Sequence, residues 1–179
     1  MFVTRVVISI FEFTLSVVMS GLTIGLSYRV FISANPDFDM EAEIGKGNTA
    51  VGVLMGAILF SASLILQRGL SSVVSMFRLQ MSAPAEGGFA LWQLGLMTLG
   101  HLMMSLVLAL LTISITLRLF GKLTRRFRAG QELQKGNMAV GVLLSAVVII
   151  AALYVGEGVS SLSKALVPQP SLSRVQILR

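Results

Sequence analysis

The sequence predicts an all-α membrane protein whose four transmembrane helices form two tandem helical hairpins. Three observations carry this: the composition, four apolar runs of membrane-spanning length, and a self-similarity at an offset of 89 residues. Of the 179 residues, 55% are hydrophobic and only 12% are charged, with a mean hydropathy of +0.86. Soluble domains run near roughly 45–50% apolar and 25% charged. Cysteine is absent, so disulfides, thiolate metal sites and cysteine nucleophiles are excluded. The single histidine, His101, leaves no histidine cluster for a metal and one base at most for a serine triad. No cofactor is expected, and no motif combines nucleophile, base and orienting group, so an enzyme is not the expectation.

A helix rising 1.5 Å per residue needs about 20 apolar residues to cross a hydrocarbon layer roughly 30 Å thick. The first run, Val6 to Ile32, contains Glu12 and is closed by Arg29. It exceeds the apolar core of about 7–15 residues found in a signal peptide, and it has a counterpart later in the chain, so it reads as a retained helix. The second run, Asn48 to Leu66, carries no charge and meets Arg68; the third, Phe89 to Leu117, has His101 as its one titratable group. The fourth, Asn137 to Val155, meets Glu157. In lipid, runs of this length satisfy their backbone groups as helices.

Sliding the chain on itself by 89 residues aligns Glu43 to Ser72 with Glu132 to Ser161, with 15 identities in 30 positions and no gap. The same offset carries Phe11 to Ser33 onto Gly100 to Lys122. The unit is a two-helix hairpin used twice, so residues 1–82 form one copy, 83–163 the second, and 164–179 a C-terminal tail. Each copy crosses the membrane an even number of times, which predicts a pseudo-two-fold axis along the membrane normal.

The doubled string Glu43-x-x-Lys46-Gly47-Asn48-x-Ala50-Val51 and Glu132-x-x-Lys135-Gly136-Asn137-x-Ala139-Val140 resembles the YjfL-like bacterial inner-membrane proteins, domain of unknown function 350. The resemblance covers nearly the whole chain. It implies a four-helix protein of the bacterial cytoplasmic membrane and assigns no activity.

Basic residues near helix ends set orientation. One side carries eight (Arg29, Lys46, Arg118, Lys122, Arg125, Arg126, Arg128 and Lys135), the other six (Arg5, Arg68, Arg78, Lys164, Arg174 and Arg179). Both chain ends are therefore expected in the periplasm. Arg125, Arg126 and Arg128 are expected to meet anionic lipid headgroups rather than nucleic acid, since the basic loop is short and holds one aromatic residue.

Gly47-Asn48 and Gly136-Asn137 fall where loop becomes helix. An Asn side chain can cap the first free N–H groups; the functional alternative is that two helix starts and two Asn amides meet and bind an anion, a headgroup or a partner loop. Gly21-x-x-x-Gly25, Gly52-x-x-x-Gly56 and Gly141-x-x-x-Ser145 read as helix-packing faces, because small residues four apart let backbones approach in lipid.

The remaining candidates are the charges within the runs. Glu12 and His101 lie 17 residues before Arg29 and Arg118, and Arg68 and Glu157 lie 20 residues after Asn48 and Asn137. All four thus fall near one side of the membrane, and the offset exchanges acid and base between the copies. Ionisable groups in a membrane are expected to pair. The expected pairs are Glu12 with Arg68 and His101 with Glu157, within each hairpin; the alternative joins Glu12 to His101 and Arg68 to Glu157. Two function classes follow: a self-associating, non-enzymatic scaffold or partner-binding module, and a small oligomeric conduit for ions or polar solutes.

Overall fold

A computed structural model describes residues 2–34, 39–82, 91–123 and 128–166. The chain forms α1 (Phe2–Ala34), α2 (Met40–Gly45), α3 (Thr49–Ser82), α4 (Leu91–Leu123), α5 (Ala129–Gln134) and α6 (Met138–Leu166), and no strand occurs among the described residues. Four of the helices are long and apolar enough to cross a membrane, over Ser9–Arg29, Thr49–Ser75, Gly95–Leu119 and Met138–Leu162.

The long helices outrun the apolar runs. Arg68 ends the second run without ending α3, because a charge costs hydropathy but leaves the backbone ladder intact. Ser71, Ser72 and Ser75 turn their hydroxyls onto carbonyls four residues back, which satisfies these polar side chains within the helix. The segments expected as loops contain α2 and α5, two short helices at one end of the bundle.

The largest interface joins α3 to α6. These helices run parallel and in register: a Cβ at Gly141 would lie 2.6 Å from the Ala50 carbonyl oxygen, and further along Arg68 meets Glu157. Ala50, Leu54 and Ile58 of α3 share a buried cluster with Val140, Leu144 and Val148 of α6. α4 runs antiparallel to α3, approaching so closely that a Cβ at Gly69 would overlap the Ser105 side chain. α1 packs on α3 through Met19, in a cluster with Leu66 and Val73. The outer side of α1 is exposed apolar surface, including Phe13, Val17 and Ile24, as lipid contact requires.

The expected two-fold relation is not what the helices display. α4 lies against both α3 and α6, whereas α1 packs on α3, touches α4 and shares no comparable interface with α6. The physical reason is that unlike faces meet. α6 presents the side carrying Gly141 and Ser145, while α3 presents the side carrying Ala50, Leu54 and Ala57.

Candidate functional site

The two Glu-x-x-Lys-Gly-Asn strings build the same turn. The Gly47 N–H donates to the Ile44 carbonyl (2.9 Å) and the Asn48 N–H to the Glu43 carbonyl (3.0 Å), with Gly47 at φ +80°, in the left-handed region that favours glycine. Gly136 and Asn137 repeat this on Leu133 (2.9 Å) and Glu132 (3.0 Å), with φ +79°. Each glycine therefore ends a short helix, and the Asn after it begins a long one. In both copies the glutamate carboxylate grips the turn from within. Glu43 accepts from Lys46 Nζ (2.9 Å) and Asn48 Nδ2 (3.1 Å), and Glu132 from Lys135 Nζ (2.8 Å) and Asn137 Nδ2 (3.0 Å). The ammonium of Lys46, then the Asn48 amide, hold the Glu43 carboxyl below its ordinary value; Asn137, then Lys135, do the same to Glu132. The Glu43 carboxylate raises Lys46 in turn.

The copies also differ. Asn48 Nδ2 also donates to the Leu133 carbonyl (2.9 Å) and lies 3.3 Å from that of Gln134, tying the first turn to α5, while Asn48 Oδ1 accepts from the Val51 N–H (3.3 Å) as an N-cap. The Asn48 amide is thereby occupied on every side, with a carboxylate next to it, and this favours the capping role over anion binding. Asp39 caps α2 through the Ala42 N–H (3.1 Å), and the Tyr28 hydroxyl of α1 donates to Glu41, which fastens α2 to the bundle. Arg128, before α5, donates to Gln131 Oε1 at 3.5 Å; Arg125 and Arg126 lie outside the described residues, as do residues 167–179 of the tail.

At the far end the charges pair differently from the expectation. Glu12 binds Arg78 (2.7 Å), not Arg68. The antiparallel register of α1 and α3 brings Arg78 level with Glu12, while Arg68 sits ten residues, about 15 Å, further along the helix. Arg68 instead crosses to Glu157 of α6 (2.8 Å), the alternative pair between hairpins. With Glu157 so engaged, the expected pair with His101 is absent: the His101 Nδ1 faces the Met97 carbonyl (2.9 Å), and its Nε2 is buried without a hydrogen-bond partner among the described residues.

Of the small-residue faces, Gly141 and Ser145 pack within the chain, Ser145 donating back to the Gly141 carbonyl (2.7 Å). Gly21, Gly25, Gly52 and Gly56 face open space, where an added Cβ would meet nothing within 4 Å. The residues missed from sequence are Arg78, Gly69 and Ser105. Arg78 was visible as a charge, but it stood outside the apolar run; nothing in the spacing marked Gly69 as a close approach.

Together these features define a multi-pass helical membrane protein whose two short helices are clamped to its long ones. The chain belongs to the family described as Domain of Unknown Function (DUF350), which matches residues 2–159. No curated protein and no solved structure matches it.

Proposed function

We propose that the protein is a non-enzymatic scaffold or partner-binding module of a bacterial cytoplasmic membrane, with both chain ends periplasmic and the α2 and α5 turns facing the cytoplasm. The observation that carries the reading is the mutual satisfaction of the polar groups at both ends. Glu43, Lys46, Asn48, Glu132, Lys135 and Asn137 bond one another or the neighbouring backbone, and Glu12, Arg68, Arg78 and Glu157 form ion pairs. Groups so engaged hold a shape rather than handle a solute. The orientation rests on the basic residues between α4 and α6, and anionic headgroups are the partners proposed for Arg125, Arg126 and Arg128.

A conduit is the second reading, favoured by three polar atoms buried without partners among the described residues of the spans: Ser27 Oγ, Ser61 Oγ and His101 Nε2. Liposome reconstitution separates the two. For a scaffold, leakage of potassium or protons stays at the empty-vesicle level. Leakage above that level, abolished by His101→Leu, replaces the scaffold with the conduit. A cytoplasm-only reporter fused after Arg179 is inactive in the proposed orientation and active in the reverse one.

A further inference from the structure

The contact between α3 and α6 has two sides, and each side has an exposed duplicate on the same chain. On α6 the side carrying Gly141, Ser145 and Ala152 is buried against the bundle; its counterparts 89 positions earlier, Gly52, Gly56 and Ser63, are exposed on α3. On α3 the side carrying Ala50, Leu54, Ala57 and Ile65 is buried; its counterparts, Ala139, Leu143, Ala146 and Tyr154, are exposed on α6. A groove and the ridge that fits it are thus both free, and they lie on different helices. A contact between unlike faces does not close on itself, and it continues from unit to unit until a ring shuts or an array extends.

We infer that the exposed α6 ridge of one copy docks into the exposed Gly52/Gly56 groove of α3 in a second copy, reproducing between chains the α3/α6 contact made within each. Two further features match this direction. Asn48 reaches across to the Leu133 carbonyl, and Leu133 is 3% exposed; its counterpart Ile44 is 39% exposed, in position for Asn137 of the neighbouring copy to reach its carbonyl in the same way. The charges also agree. Within the chain Arg68 meets Glu157, so continuing the contact sets Glu157 of one copy beside Arg68 of the next, again acid against base. Side-chain exposures of 66% for Glu157 and 52% for Arg68 leave both free to accept a second partner. The occupant is a second copy because both complementary surfaces, with matching charge, belong to this chain. The interface gives the self-association expected from the sequence a specific form and holds equally for a scaffold or a conduit.

The absence of cysteine permits a direct test on the full chain in its membrane. Ile65 and Ala152 share one buried cluster, so their counterparts, Tyr154 of one copy and Ser63 of the next, are expected to meet. The double variant Ser63→Cys/Tyr154→Cys, oxidised in membranes, should give a ladder of dimers and larger species, while either cysteine alone stays monomeric. Adding Gly52→Leu should abolish the ladder and leave thermal unfolding in detergent unchanged, since among the described residues nothing packs within 4 Å of where that side chain begins. Cross-linking by Ser63→Cys alone, as efficient as by the pair, would mean a two-fold contact through the groove and overturn the inference. So would a double variant that stays monomeric, or a ladder indifferent to Gly52→Leu. Leakage from liposomes is read separately, so failure of this interface and failure of the scaffold reading are distinct results.

Discussion

Arg68 and Glu157 stand at matching places in the two aligned halves of the sequence and form a 2.8 Å ion pair between α3 and α6. Identical units meeting through the same contact would bring like charge to like charge. The exchange of acid and base between the halves removes that repulsion.

Reversing one member should therefore destabilise the chain, and reversing both should restore it. Because both side chains are more than half exposed, the expected cost of Arg68→Glu or Glu157→Arg is about 1 kcal/mol or less. A double-mutant cycle on thermal unfolding in detergent measures it; equal stability of all four forms would show the pair to be energetically idle.

Glu12 should respond to Arg78 and not to Arg68. The defect of Glu12→Arg is expected to be repaired by Arg78→Glu and left in place by Arg68→Glu, since Arg78 lies within ion-pair distance of Glu12 and Arg68 is paired with Glu157. Repair by the second substitution would mean that α1 and α3 adopt a different register.

The two asparagines are predicted to be unequal despite their shared string. Asn48→Ala removes a cap and a bond to α5, for a loss of roughly 1–3 kcal/mol; Asn137→Ala should cost about 1 kcal/mol. Unfolding midpoints of the two variants, compared directly, give the order.

Acid should loosen the turns. Glu43 and Glu132 titrate below the ordinary carboxylate value of 4.5 in the folded chain, so each binds protons more readily when unfolded. Their contribution is fully present above about pH 4.5 and is lost as pH falls through the lowered folded values. Glu43→Gln/Glu132→Gln should flatten stability between about pH 5 and pH 3, across the ordinary carboxylate range, relative to wild type. An unchanged slope would assign the acid sensitivity elsewhere.

Glycines that look alike in sequence should divide sharply. Gly69→Ala drives a methyl into Ser105, and Gly141→Ala drives one into the Ala50 backbone, each at a cost of about 1–3 kcal/mol. Gly25→Ala should be neutral or stabilising, because it faces open space and alanine favours helix. Thermal scans of the three variants are sufficient to distinguish them.

The four long helices and the helix starts at Asn48 and Asn137 are legible in the sequence, because hydropathy and residue counts report length along a helix. Azimuth is not. Gly52 and Gly141 occupy the same place in the same string, yet one faces out and the other touches Ala50, and only the packing of unlike faces decides this. Register fails similarly. The pairing of Glu12 with Arg68 rests on residue counts from the opposite boundary and on complementary charge, and neither reports how α1 and α3 are offset along their axes, which sets Arg78 beside Glu12. α2 and α5 are six residues each, too short for periodicity to announce them.

The α3/α6 contact also imposes an order on biogenesis. α3 ends at Ser82 and α6 begins at Met138, so the ribosome adds 55 residues between the two mates. At roughly 5–20 residues per second this interval lasts about 3 to 11 seconds. Throughout it the nascent first hairpin displays its most extensive mating surface to lipid, to the insertion machinery, or to the finished α6 of an earlier chain.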